Sequence, residues 1–468
     1  MTVKKRSHFL IAAPTSGSGK TTICRGLMEL FTAEGYRVQP FKCGPDYIDT
    51  KYHEQACGRP SINLDTFMAT QPHVSDLFRR HSAEADVSVV EGMMGLFDGY
   101  DRQKGSSAEI AVLLDIPVVL VVDAKSSAYS TAALISGFRD FNPKLRLVGV
   151  IFNKVGGQKH ARLLEEVCDD LNLHYLGALF RNPDLNMDSR YLGLDFQASS
   201  PHQLKTFADA VRRDLLWEKL LEVTGVSSVL EEEISEGSER KPFCEPEGSI
   251  QSPLDSPTLS DSPALSDLET VAGHHIAVAR NAESFSFIYA EHLDVLSRLG
   301  RVSFFDPEVD VELPEAIDLL YLPGGYPEKQ AERLSQNHSL MEAIRRYTKG
   351  GGRVIAECGG MIYLSQGIKT PEKTFPMVGL FPFTIDHTPE GRQLTLGYRQ
   401  FDYHGLKLSG HEFHYTQIVK EDAKCCPTIA QVRNAKGEPV DTGLFRVQNV
   451  IASYTHFYWG EMDLFKLF

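Results

Sequence analysis

No two of the eight cysteines form a CxxC pair and none has the Cys/His spacing of a zinc site, which excludes a metal framework of that kind. Reduced thiols in a cytoplasmic protein are the expected state. Basic charge is also scarce: 48 Lys and Arg stand against 62 Asp and Glu, a formal net charge of −14. Neutralising a phosphate backbone needs a basic surface, so no nucleic-acid partner is predicted, and any anionic substrate must be met by a local basic site. Long apolar runs are missing too. No window approaches about 18 apolar residues, the length a membrane span needs. Behind the basic start Met1-Thr2-Val3-Lys4-Lys5-Arg6 the apolar run stops at Pro14, too short for the core of a signal peptide.

With 42% hydrophobic and 24% charged residues over 468 positions, the chain is long enough for two to four ordinary globular domains. Runs rich in Val, Ile and Leu recur at Phe9–Ala12, Val38–Phe41, Val87–Val90, Val118–Val122 and Leu147–Phe152, with helical patterns between them. Such continuous runs suit strands covered on both faces. They predict an α/β domain with a doubly wound, mainly parallel sheet over 1–225. A second domain of the same class is predicted over 272–468, from the runs His275–Ala279, Val302–Phe305, Leu319–Leu322 and Val354–Ala356. Between them, 226–271 carries Glu231-Glu232-Glu233 and repeated Ser-Pro steps. Acidic, Ser/Pro-rich sequence cannot bury enough apolar surface to offset its ordering entropy, and a solvated linker is expected there.

The most informative stretch of the first domain is Ala13-Pro14-Thr15-Ser16-Gly17-Ser18-Gly19-Lys20-Thr21-Thr22, which follows a strand and opens a helix. This is the context of a phosphate-binding loop, although Pro14 stands where the full pattern has glycine. Gly17 and Gly19 let backbone N–H groups turn toward phosphate oxygens, Lys20 reaches the terminal phosphates and Thr21 is placed to hold Mg2+. Thr22 completes the nucleotide contacts. Asp46 and Glu91 lie just past apolar strands, where carboxylates hold a metal bridging phosphates, so the expected metal set is Thr21, Asp46 and Glu91. Asp98, in a glycine-flanked loop, faces metal or substrate and joins Asp46 among the catalytic groups. Asn153, ending the fifth strand, is placed to read a nucleotide base edge. Lys42, Arg59 and Arg190 are the cations expected near an anionic substrate.

In the second domain Gly350-Gly351-Gly352-Arg353-Val354-Ile355-Ala356-Glu357-Cys358-Gly359-Gly360 reads as a strand running into a nucleophile elbow. The helix that follows is expected to lower the Cys358 thiol pKa. His456 is the candidate base, with His411 and His414 as rivals. The backbone N–H groups of Gly325, in Leu322-Pro323-Gly324-Gly325-Tyr326, and of Gly359 are candidates for an oxyanion hole.

Taken together, the phosphate loop, Gly44-Pro45-Asp46-Tyr47-Ile48-Asp49, Asn63-Leu64-Asp65, Glu91-Gly92-Met93-Met94-Gly95-Leu96-Phe97-Asp98-Gly99, Pro323-Gly324-Gly325-Tyr326-Pro327-Glu328, Glu357-Cys358-Gly359-Gly360 and Gly410-His411-Glu412-Phe413-His414-Tyr415 closely resemble the cobyrinate a,c-diamide synthase family. The resemblance spans both domains in order and leaves out only the linker. It implies a dethiobiotin synthetase-like ATP domain and a class I-type glutamine amidotransferase domain. It further implies amidation of the a and c acetates of cobyrinate from ATP, Mg2+ and L-glutamine, through an acyl phosphate. Tyr47, Ile48, Asp65 and Arg190 are the expected substrate contacts. Thr15, where membrane-partitioning ATPases place Lys, argues against a dimer-switch ATPase, while an ordinary homodimer stays open. Tyr458 occupies the place, two residues after the catalytic His, where class I amidotransferases usually carry Glu; Glu412 is the substitute considered. The rival readings are nickel sirohydrochlorin a,c-diamide synthase, cobyric acid synthase, and a nucleotide-switched scaffold with a silent amidotransferase domain.

Overall fold

The computed structural model describes residues 6–185, 201–225, 273–419 and 426–468. The predicted linker and Arg190 lie outside the described residues. Each apolar run of the first domain is a strand: β1 Ser7–Ala12, β2 Val38–Cys43, β3 Ile62–Leu64, β4 Val87–Glu91, β5 Val118–Asp123, β6 Leu147–Val155 and β7 His174–Phe180. They form one sheet in the order β3-β2-β4-β1-β5-β6-β7, with every pairing parallel. Strands β1, β2 and β4 are buried along their whole length, because helices cover both faces. Helix α1 (Lys20–Ala33) leaves β1 through the glycine loop, and α2 (Ile48–Cys57) leaves β2 through Gly44–Tyr47. The strand order reverses about β1, so the carboxyl ends of β1, β2 and β4 open onto a crevice where such sheets take their ligands.

The second domain is built on a six-stranded sheet, β8 (His274–Ala279), β9 (Gly300–Phe305), β10 (Leu319–Leu322), β11 (Arg353–Glu357), β19 (Leu444–Val447) and β20 (Val450–Ser453), in the order β19-β20-β11-β10-β8-β9. All pairings are parallel except β19 with β20. Two further four-stranded sheets, which the sequence reading did not foresee, are added between β11 and β19 and at the chain end. One of them orders β18 (Arg433–Asn434), β15 (Thr395–Tyr403), β16 (Leu406–His414) and β21 (His456–Tyr458). This antiparallel sheet sets His411 directly opposite His456.

The two domains share a core. One cluster of buried side chains runs from Leu10, Phe41 and Tyr47 of the first domain to Phe287, Tyr289 and Tyr458 of the second. Tyr47 stacks on Phe287 at 5.3 Å and Tyr289 at 4.4 Å between ring centroids. Full burial of an aromatic side chain contributes about 1.5–3 kcal/mol, so these rings alone give the seam several. Polar contacts fix its register: Tyr398 Oη donates to Asp65 Oδ2 at 2.7 Å, Thr70 N to Glu461 at 2.8 Å, and His73 Nε2 meets Glu291 at 2.5 Å.

Candidate active site

At the crevice of the first sheet, Gly17 (φ 78°) and Gly19 (φ 97°) hold left-handed backbone that a side chain would strain. Gly19 has no room for one either, since a Cβ there would lie 2.1 Å from Asn153 Nδ2. The loop opens onto a cavity of about 800 Å3 lined by Gly17, Gly19, Lys20, Thr21, Thr22, Asp46, Glu91 and Asn153, and also by Phe180–Pro183. Lys20 Nζ donates to the Met94 carbonyl at 2.6 Å, and burial together with the nearby Lys42 lowers its pKa.

Behind the phosphate loop lies a buried charge network that sequence reasoning missed. Lys42 Nζ donates to Asp49 Oδ2 at 2.6 Å and to Glu91 Oε1 at 3.0 Å, while His53 Nε2 meets Glu91 Oε2 at 2.7 Å. Thr21 Oγ1 donates to Glu91 Oε1 at 2.7 Å. Burial works against the Glu91 carboxylate, yet Lys42 and His53 outweigh it and hold its pKa well below the usual range. For Lys42, burial acts to discharge the ammonium, but Asp49, Glu91 and Asp46 prevail and raise its pKa. Lys42 is therefore a cation paired within the framework, and it also joins the lining of the phosphate crevice. The signal for Asp49 and His53 was their spacing on α2, which aims both at the end of β4.

The contacts of several residues singled out in the sequence are these. Asn153 lines the phosphate crevice; its Nδ2 donates to the Ser18 carbonyl at 2.9 Å and its Oδ1 accepts from Lys154 N at 2.8 Å, so its amide braces the loop. Asp98 turns back to accept from Gly95 N at 3.0 Å and lines neither cavity. Asp65 accepts from Phe67 N, Met68 N and Tyr398 Oη, which makes it a buried anchor of the turn and the seam, and it lines neither cavity. Arg59 also lines neither cavity. A short polar side chain satisfying nearby backbone looks the same in sequence as one awaiting a ligand.

A second cavity, about 820 Å3, lies between the domains. Pro45, Asp46, Tyr47, Ile48, Met94 and Tyr100 line it from the first domain, and Tyr326, Glu328, Tyr398, His411, Phe413 and His456 from the second. Asp46, Met93 and Met94 belong to both cavities, so the phosphate crevice and the aromatic chamber share a wall. Asp46 Oδ1 accepts from Ile48 N at 2.8 Å and Asp49 N at 2.9 Å, fixing the start of α2 at that wall.

Cys358 sits where β11 meets the helix Gly359–Leu364, at φ 45° and ψ −103°, the strained turn of an elbow. Its N–H donates to the Ser453 carbonyl at 2.8 Å, which ties it to the strand that leads to His456. Gly359 packs so closely that a Cβ would lie 2.8 Å from Gly325 N, and the N–H groups of both glycines face the Cys358 sulfur. The expectation of a lowered thiol pKa is overturned. Burial, with Glu328 adding to it, pushes the Cys358 thiol well up, and the two N–H groups offset only part of this. A six-residue helix start cannot counter full desolvation.

His456 is buried, and its pKa is driven well down by burial and then by His411 and His414, which leaves the imidazole neutral and opposes its taking a proton. Its Nδ1 has no hydrogen-bond partner among the described residues. Glu412 does not supply one, because it is committed to Arg399 at 2.7 Å and to Thr442 and Thr455. Tyr458 instead donates to Glu291 at 2.5 Å, which holds the strand carrying His456.

A parallel P-loop domain sharing a chamber with a cysteine-elbow domain defines a nucleotide-binding glutamine amidotransferase, a carbon–nitrogen ligase. Known families agree: residues 9–192 match the CobQ/CobB/MinD/ParA nucleotide binding domain and residues 275–463 the CobB/CobQ-like glutamine amidotransferase domain. The cobyrinate a,c-diamide synthase of Synechocystis sp. is 36% identical over 97% of this chain and 90% of its own length. That of Listeria innocua is 34% identical over 99% of both chains. The hydrogenobyrinate a,c-diamide synthase of Brucella anthropi is 37% identical over 96% of this chain and 97% of its own. The chain belongs to the a,c-diamide synthase family.

Proposed function

We propose that the protein converts the a and c acetate carboxylates of a cobyrinate-type corrinoid to amides, using ATP for activation and glutamine for nitrogen. The observation that carries this reading is the wall common to the two cavities: Asp46, Met93 and Met94 border both a phosphate crevice and a large aromatic chamber reached by His456. The chamber's rings and methionines suit a flat macrocycle whose carboxylates must reach that wall.

A carboxylate is a poor acyl donor. Its oxygen attacks the γ-phosphorus of ATP and ADP leaves, with Lys20 and the loop N–H groups meeting the charge that builds in transfer. Thr21 and Glu91, whose oxygens lie 2.7 Å apart at the crevice, would hold Mg2+, which supplies further charge neutralisation on the phosphates. The donor set fits that ion, since Mg2+ takes one or two protein oxygens and leaves its other positions to phosphates and water. In the second domain Cys358 gives its proton to neutral His456 and its sulfur attacks the glutamine amide carbon. The oxyanion falls to Gly325 and Gly359, and ammonia leaves with the returned proton. Water then releases glutamate from the thioester. Ammonia crosses to the acyl phosphate and displaces phosphate, giving the amide; a buried seam keeps it from bulk water, where it would be protonated.

The test is a mass-spectrometric product assay with cobyrinate and hydrogenobyrinate in separate arms, each with ATP and glutamine. Two amides per macrocycle are expected in at least one arm. No ATP- and glutamine-dependent mass change in either, or a tetra-amide, would refute the reading.

A further inference from the structure

We infer that Glu328 is the receptor for the α-ammonium group of the amino-acid amide cleaved at Cys358. The inference rests on the reading of Cys358 as the glutamine-cleaving nucleophile and deepens it. Glu328 lies three residues past Gly325, in the one-turn helix Pro327–Gln330 whose first residue packs against Gly359 beside the nucleophile. It lines the same chamber as Tyr326 and His456. The residue as a whole is partly accessible, but its Oε2 is buried and finds no hydrogen-bond partner among the described residues. An acceptor left that way is costly unless a ligand donor completes it.

The neighbouring charges define what that donor must be. Lys329 and Arg392 are the cations whose charge reaches Glu328, and each lies over a ring, Tyr326 at 4.5 Å and Tyr415 at 5.1 Å, rather than on the carboxylate. Burial outweighs both and raises the carboxyl to about 7. A carboxylate here also opposes ionisation of Cys358, the wrong arrangement for an elbow unless substrate cancels it. An ammonium group on the ligand does so: it fills the open acceptor and removes the negative charge beside the sulfur in one contact. Amide hydrolysis thereby becomes conditional on an α-amino acid, and a simple amide entering the chamber leaves the thiol protonated.

The experiment compares hydrolysis of L-glutamine with that of glutaramic acid, the same molecule lacking the α-amino group, by the full chain and by Glu328→Gln. The intact chain is expected to prefer glutamine by about 10- to 100-fold in kcat/KM, the range of a hydrogen bond to a charged group. Glu328→Gln should bring that preference close to unity by losing glutamine activity, while glutaramic acid is cleaved no more slowly. A variant that keeps the full preference, or that slows both amides equally, overturns the inference while leaving Cys358 as the nucleophile. If the intact chain cleaves neither amide, the reading of Cys358 itself falls. Should Glu328→Gln not fold, Glu328→Asp is measured instead; its carboxylate is withdrawn by one methylene, and an unchanged preference overturns the inference equally.

Discussion

Replacing Lys42 with methionine keeps most of the side-chain volume and removes the one ammonium group between Asp49 and Glu91. All three side chains are at most 3% exposed, and Lys42 Nζ lies 2.6 Å from Asp49 and 3.0 Å from Glu91. Taking one partner from a buried ion pair typically costs about 3–5 kcal/mol, because the remaining charge is stranded without solvent. Against a typical total of roughly 5–15 kcal/mol, that is a large share of a domain's stability. Urea unfolding followed by circular dichroism at pH 7 should show the loss as a lower midpoint at unchanged slope. The pH dependence separates stranded charge from lost packing. In the parent chain the folded Glu91 pKa is depressed, so its contribution is present above the unfolded value near 4.3 and is lost only as pH falls through the lower folded value. In Lys42→Met burial acts on Glu91 with His53 left as its charged partner, so the folded carboxylate pKa rises from the parent's depressed value and lowering the pH favours the variant relative to the parent. The gap between variant and parent should therefore narrow from pH 7 to about pH 5. A loss below about 1 kcal/mol, or a gap that stays constant over that range, would refute the claim that the network is ionised and dry.

Further predictions concern the two reaction centres and the seam. Cys358→Ser should abolish glutamine-dependent amidation in the mass assay yet form product with high ammonia; if ammonia also fails in a folded variant, the division of labour between domains is wrong. Lys20→Ala should stop both amidations while glutamate release from glutamine persists, and retained diamide formation would exclude the phosphate crevice as the site of activation. Tyr458→Phe removes the donor to Glu291, and the loss of a buried hydrogen bond to a charged group should cost about 1.5–3 kcal/mol in urea titration. An unchanged midpoint would show that Tyr458 does not hold the strand of His456.

The parallel sheets were legible because strands covered on both faces need uninterrupted apolar residues, as in Val87–Val90 and Val118–Val122, and few other structures do. The nucleophile turn was legible for a related reason: only glycines fit around Cys358 at its positive φ, and those glycines are spelled out in the chain. The short antiparallel strands were not. Gln417–Ile418 and Arg433–Asn434 span two residues each, too few to leave a periodicity. The contacts of Asp65, Asp98 and Asn153 could not be read from the sequence, because they depend on donors three residues away or in another domain. The thiol pKa was misjudged by weighing the helix start without the burial that dominates it. Glu328, present in a quoted motif, received no role because its meaning depends on an acceptor left open in space.

Tyr47 belongs to the first domain by sequence, yet its ring lies among Phe287, Tyr289, His411 and His456 of the second. Modularity therefore ends at that loop. A chimera exchanging amidotransferase halves between relatives would inherit a foreign socket for this ring, and with it a displaced Asp46 one residue away. The unit that evolution can transplant is the matched pair of loop and socket, so the tolerance of such hybrids should follow the identity of those four partners more closely than the overall similarity of the domains.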